Sequence, residues 1–299
     1  MYVSIRKMSD YAGSLLKNAW EKTKASACLG TVHSVYRKTI NLSVNGRLLA
    51  LQADGTPLSP LSLITELPSD SMNTLPIEKG ELVRISGESI EICSSPQPFL
   101  FTYSDAVHYD LKLPSVFASL SDGDASRQKA RLARNIEDAL FHGDTGGFSS
   151  IFNCSSEKEL SLMLLAAKRR IEDSARLYHN KEFEKSGSTL SGLLGLGIGL
   201  TPSGDDFLCG ALAGLCLLGK KNGPFEKKLK SEIASHLSDT IDISAAFLIC
   251  ALEEQFSLAV NGLAAIPEAE QIKNAFSEIG HSSGMDTLCG VLFVLNLVK

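Results

Sequence analysis

The chain is predicted to be an α+β protein, with a small N-terminal β barrel or sandwich over residues 1–112 and a larger all-α domain over residues 113–299. Three observations carry this reading. Over residues 27–93, short alternating runs are broken by frequent turn residues, and INLSV-NG-RLLALQ lies at their centre. Asn45-Gly46 suits a two-residue type I′ hairpin, which needs positive φ at both positions. Beyond about Ser121 the apolar residues recur at the helical period instead. Finally, the decapeptide S-G-x-D-x-L-C-G-x-L occurs twice, from Ser203 (SGDDFLCGAL) and from Ser283 (SGMDTLCGVL).

Taken in order, MYVSIRKMSDYAGSLLKNAW reads as an amphipathic leading helix and not as a basic patch followed by an apolar secretory core. Strands are expected at 27–36, in the hairpin, and at 61–66, 82–86 and 89–93, with Lys79-Gly80 and Gly87-Glu88 as turns. Residues 94–121 hold three prolines and no sustained period, so they read as the connection between domains. Helices are expected at 126–141, 157–178, 205–218, 225–237, 244–260, 268–279 and 285–297. The two motif copies lie 80 residues apart, which is too long a period for a common solenoid, so a duplicated helical hairpin or pseudo-symmetric packing is expected.

Composition narrows the function. A net charge of -5 leaves no electrostatic footprint for nucleic acid. The longest apolar run, 207–218, is too short to span a bilayer, so no membrane segment is expected. Seven scattered cysteines without C-x-x-C spacing read as reduced core thiols of a cytoplasmic protein.

Each motif copy follows a Gly/Ser/Thr stretch and runs into an apolar segment, which is how a helix start reads. The Ser is placed to cap, and the Asp three residues on is placed to reach back, as in a short-armed capping box. Two entrances dressed alike point to one composite polar site. The candidate catalytic residues are Asp205, Asp206, Asp286 and His281. Candidate substrate- or anion-binding residues are Gly197, Gly199, Thr201, Ser203, Gly204, Ser282, Ser283, Gly284 and Thr287. Helix N-termini attract anions, whereas the aspartates repel them unless a metal, a proton or N–H groups of the substrate intervene. An anionic amide suits that mixture, and a magnesium seat is the other option. The plainer alternative is that the aspartates only compensate helix dipoles and that Gly210 and Gly290 only serve packing.

GLLGLGIGLTPSGDD is not a nucleotide loop. No lysine lies between Lys185 and Lys220 for a P-loop, and Leu200 stands where the dinucleotide fingerprint needs glycine. The remaining histidines lack zinc-ligand spacing. In T-I-D-I-S, where Thr240, Asp242 and Ser244 alternate with apolar residues, capping by Asp242 or Ser244 is the plain reading, and a contribution of this block to the same site is the alternative. The β domain carries no concentrated acid, base or nucleophile, so it is assigned to docking or to the rim of the site.

With GLGIGLTPSGDDFLCGAL, GHSSGMDTLCG and the intervening T-x-x-x-S-A, the chain resembles the AllH-type family, which includes the AllH subunit of oxamate carbamoyltransferase and was once labelled as carboxylases. The family often has proline at Ile198 and an aromatic residue at Met285; neither departure removes a polar group. The resemblance implies phosphorolysis of oxalurate to oxamate and carbamoyl phosphate in allantoin nitrogen use, with FdrA-type and AllG-type partner subunits and no required cofactor. It carries over no catalytic residue. Two alternatives are a magnesium-dependent enzyme of phosphate or carboxylate chemistry, and a non-catalytic partner that completes another subunit's site.

Overall fold

A computed structural model describes residues 1–22, 28–141, 146–153, 160–219 and 223–298. The chain divides into two compact units, Met1–Leu111 and Lys112–Lys299. The first is a β barrel and the second is helical, as the sequence predicts.

The barrel is built from β1 (Tyr2–Ser9), β2 (Cys28–Val35), β3 (Thr39–Val44), β4 (Arg47–Gln52), β5 (Ser62–Thr65), β6 (Leu82–Ile85), β7 (Ser89–Ile92) and β8 (Phe99–Thr102). Their order is β5-β4-β3-β2-β6-β7-β8-β1, and β1 pairs back onto β5, so eight strands close without a free edge. A short β9 (Val107–Tyr109) adds to the C-terminal half of β1 in parallel. Asn45 and Gly46 have φ of 49° and 73°, the left-handed pair that the β3–β4 hairpin needs.

Two expectations are corrected here. The N-terminus begins with strand β1, and the amphipathic helix α1 (Asp10–Lys22) follows it. Val3 and Ile5 point inward, then a bulge opposite β5 shifts the register so that Met8, not Lys7, is buried. That slip erases the alternation by which a strand is read from sequence. The Ser9 hydroxyl accepts the Ala12 N–H at 2.9 Å, and α1 lays Ala12, Leu16 and Ala19 against the barrel core. Likewise 94–121 is not only a connection, because it contains β8 and β9. Phe99 and Phe101 alternate into the core, but four residues flanked by Pro96 and Pro98 are too few to show a period.

The helical unit runs α2 (Asp122–Phe141), α3 (Ser149–Asn153), α4 (Leu162–His179), α5 (Phe183–Ser191), α6 (Ser203–Leu217), α7 (Pro224–Ser235), α8 (Asp242–Leu252), α9 (Leu258–Gly262), α10 (Ala269–Ser277) and α11 (Ser283–Leu297). The expected helix start at residue 157 lies outside the described residues. Helix α5 is hidden in sequence because its buried face is small and polar. Ser186 meets Ser174 at 3.0 Å, and Gly187 lets the α7 backbone approach. The single helix expected over 244–260 is broken after Leu252: Glu254 takes φ 62°, and Ser257 accepts the Val260 N–H to cap α9.

Helices α6 and α11 are apolar nearly all round and fill the centre of this unit. They run parallel, and their closest approach is made by glycines. A Cβ on Gly210 would overlap the Thr287 carbonyl, and one on Gly290 would overlap the Phe207 carbonyl. Thr287 and Phe207 occupy the same motif position, so the crossing has an approximate two-fold relation. This is the pseudo-symmetric packing that the repeat predicts.

Candidate functional site

The parallel crossing brings both motif starts to one end of the helical unit. Ahead of α6, Gly195, Gly197 and Gly199 all have positive φ, at 71°, 145° and 116°. At Gly195 and Gly197 side chains would also collide, with the Asp239 carbonyl and the Ser203 nitrogen respectively. Gly199 faces open space, and Ile198 beside it is 92% exposed. Gly204 and Gly284 play one role twice. A Cβ on Gly204 would overlap the Leu193 carbonyl, and one on Gly284 the Phe276 carbonyl. Their amides donate to Leu196 at 2.8 Å and to Ile279 at 3.1 Å.

The expectation that the motif serines cap their helices is corrected. Neither α6 nor α11 has a side-chain hydrogen bond at its N-cap. The hydroxyls face across to the other copy instead: Ser283 stands beside Asp206, and Ser203 stands beside Asp286. Thr201 Oγ1 and Ser283 Oγ are 2.7 Å apart, which joins the two entrances directly. Thr287 does not join them, because its hydroxyl donates to the Ser283 carbonyl one turn back at 2.8 Å.

Asp205 and Asp206 part company. Asp205 is 1% exposed and accepts from the Gly195 N–H at 2.7 Å, from Ser244 Oγ at 2.6 Å and from Thr240 Oγ1. It ties the glycine loop to the start of α8. Thr240 and Ser244 thus reach the site's floor through Asp205, and the N-cap position of α8 is held by Ile241. Asp206 points to the shared end. Its Oδ2 is sealed from solvent without a hydrogen-bond partner.

Asp286 is fully buried, and its Oδ2 likewise has no partner. Its Oδ1 accepts the Phe148 N–H at 2.6 Å. Gly147, at φ 56°, has no room for a side chain because the Asp286 carboxylate fills that place. The Gly146–Phe148 loop is a part of the site that sequence reasoning missed. Its only signal is a Gly-Gly pair with no visible partner.

Burial dominates the electrostatics. It pushes the Asp206 carboxyl well above the usual range; Ser283 and Thr201 oppose it, and the charges of Asp286 and Asp205 reinforce it. Burial raises Asp286 to about 6, against the opposing pull of Ser203, the Phe148 N–H and Ser282. The thiols of Cys209 and Cys289 are pushed up by burial and then by these aspartates, so both stay protonated and are poor nucleophiles. Among the described residues no group of three or more His, Cys, Asp or Glu side chains converges as a metal site would require. His281 is exposed at the rim. The structure therefore gathers Thr201, Ser203, Asp206, Ser282, Ser283 and Asp286, and leaves Asp205, His281 and Thr287 around them.

No helix among the described residues is long and apolar enough to cross a membrane. No solved structure matches the chain. Residues 7–108 match the model of the AllH family N-terminal domain. Residues 193–295, which contain both motif copies and everything gathered at the two helix starts except the Gly146–Phe148 loop, match the model described as oxamate carbamoyltransferase subunit AllH. With both of its units matched, the chain belongs to the AllH family.

Proposed function

We propose that this chain is the part of an oxamate carbamoyltransferase that holds the ureido substrate at the paired starts of α6 and α11. The reaction is phosphorolysis of oxalurate: a phosphate oxygen bonds to the ureido carbonyl carbon, the bond to the oxamate nitrogen breaks, and carbamoyl phosphate and oxamate leave. The observation that carries this reading is the pair of sealed carboxyl oxygens, Asp206 Oδ2 and Asp286 Oδ2, among four hydroxyls. Unpartnered carboxyl oxygens so enclosed call for a donor, either a proton of their own or N–H groups brought by a ligand. The two helix dipoles favour the anionic ends of oxalurate and phosphate. Thr201, Ser282 and Ser283 are partly exposed and form the face that a ligand meets first, in front of the sealed Oδ2 atoms of Asp206 and Asp286.

In such a transfer the protein positions phosphate against the carbonyl and stabilises the developing oxyanion. FdrA-type and AllG-type subunits complete the enzyme, and the family's description as a subunit supports partners of some kind. We place the assembly in the cytoplasm, in keeping with Cys93, Cys209, Cys216, Cys250 and Cys289 being thiols outside any disulfide. The proposed chemistry requires no bound cofactor, and magnesium is an optional counter-ion of phosphate.

The test is co-expression with the two partner types and an assay of carbamoyl phosphate formed from oxalurate and phosphate, with and without a chelator. Wild-type assembly should turn over, and Ser283→Ala should lose most of that activity. An intact assembly that makes no carbamoyl phosphate, or one indifferent to Ser283→Ala, sinks the assignment.

A further inference from the structure

We propose that Asp206 and Asp286 hold a single proton between them and pass it through the Ser283–Thr201 hydroxyl pair during transfer, so that they act as proton-holding positioning residues behind the substrate-facing hydroxyls. This rests on carbamoyl transfer as the reaction. The geometry comes first. The two carboxyls enter from symmetric helix starts that Thr201 and Ser283 join at 2.7 Å, each beside the other copy's serine, and each keeps one sealed oxygen without a donor. The other charge that acts on the pair is that of Asp205, which repels a second negative charge beside Asp206; the thiols of Cys209 and Cys289 next to them stay protonated and carry no charge. No cationic side chain acts on either aspartate among the described residues.

Two buried carboxylates so placed must be neutralised by a proton, a cation or donors from a ligand. A cation is the poorer choice, because among the described residues no third His, Cys, Asp or Glu side chain joins the two carboxyls to complete a metal site. A single proton needs no such set of ligands. Asp206, whose carboxyl is pushed upward by burial and by the charges of Asp286 and Asp205 together, is the carboxyl that keeps it. Thr201 Oγ1 and Ser283 Oγ, 2.7 Å apart, lead from Asp206 toward the partly exposed rim.

The proton balance of the reaction matches a one-proton store. Hydrogen phosphate gives up its proton as its oxygen bonds to the carbonyl carbon, and the departing oxamate nitrogen gains one as its bond to carbon breaks. The ionised carboxylate of the pair accepts the first proton, and the protonated carboxyl supplies the second. The pair therefore leaves each turnover with the one proton it began with, and no electrons are exchanged.

The first experiment needs no partner: infrared difference spectra of the full chain at pH 7, wild type against Asp206→Asn. A protonated-carboxyl carbonyl band should be present in wild type and missing in the variant. If Asp206→Asn does not fold, Ser283→Ala serves, because loss of the hydroxyl that favours ionised Asp206 should carry the band to higher pH. Absence of the band in wild type, or its disappearance on adding magnesium or potassium ions, overturns the shared proton. In the second experiment the assembled enzyme should lose activity below about pH 6, as Asp286 takes up a second proton. Asp286→Asn should remove that acid limb and lower kcat about a hundredfold or more, with KM little changed. If turnover is sound but Asp286→Asn keeps both rate and acid limb, the proton relay fails and the carbamoyltransferase reading stands. If wild-type assembly makes no carbamoyl phosphate, the functional reading fails, and the infrared band alone decides the shared proton.

Discussion

Thr201 and Ser283 stand 82 residues apart in sequence and 2.7 Å apart at their hydroxyls. Their contact exists because α6 and α11 run parallel and touch backbone to backbone at Gly210 and Gly290, which sets both helix starts at one level. Polar chemistry at the entrances therefore depends on small residues two turns deeper.

That dependence predicts the cost of enlarging the glycines. Gly210→Ala and Gly290→Ala should each lower stability by at least about 1–3 kcal/mol, since the intruded atoms are carbonyls that cannot move aside without displacing a helix. Gly123→Ala in α2, where nothing lies within 4 Å, is the control and should be neutral or slightly stabilising. Denaturant midpoints on the three variants decide this; equal midpoints would mean that the helices do not touch as described.

A second prediction concerns pH. Asp286 titrates near 6 in the folded state against 3.8 ordinarily, so between these values the folded chain holds a proton that the unfolded chain has released. Folding is thus favoured below the lower value, and that advantage is lost as pH rises through about 6, a difference of about 3 kcal/mol for two units. Asp286→Asn abolishes the titration and keeps an acceptor for the Phe148 N–H. The variant should match wild type near pH 4 and exceed it in stability at pH 8. Unfolding curves across this range that stay parallel would show that Asp286 does not titrate abnormally.

Removing Asp205 should destabilise the fold. Its carboxylate satisfies three donors from Gly195, Thr240 and Ser244, so Asp205→Ala should cost at least about 3 kcal/mol and loosen the glycine loop. Limited proteolysis over residues 195–201 should speed up in step with the loss of stability. Activity lost without either change would place Asp205 in the chemistry instead.

The barrel supplies the fourth test. Arg37 pairs with Asp70, Arg47 donates to Tyr11, and Arg84 pairs with Glu91, and all three are partly or largely exposed. Alanine at Arg37 or Arg84 should change stability by less than about 1 kcal/mol and leave turnover of the assembled enzyme intact. If either abolishes turnover while assembly persists, catalysis does not reside in the helical unit alone.

The sequence alone determined the features that depend on near neighbours in the chain. Asn45-Gly46 marked its hairpin because positive φ is a local demand, and the helical period marked α6 and α11 because their apolar faces recur within a few residues. The repeat even implied that two polar helix starts belong together. Tertiary structure decided what depends on distant partners. Asp205 and Asp206 are neighbours in sequence, yet one residue turns a helix by roughly 100°, so one carboxylate meets Thr240 and Ser244 while the other meets Ser283. No local pattern could turn Ser203 away from its own cap toward Asp286, because that choice is made by the docking of a helix 80 residues later. The same holds for β1 and β8, whose short, bulged or proline-flanked runs become strands only because the closing barrel gives their backbones partners, and for Gly147, whose missing side chain has meaning only where the Asp286 carboxylate comes to rest.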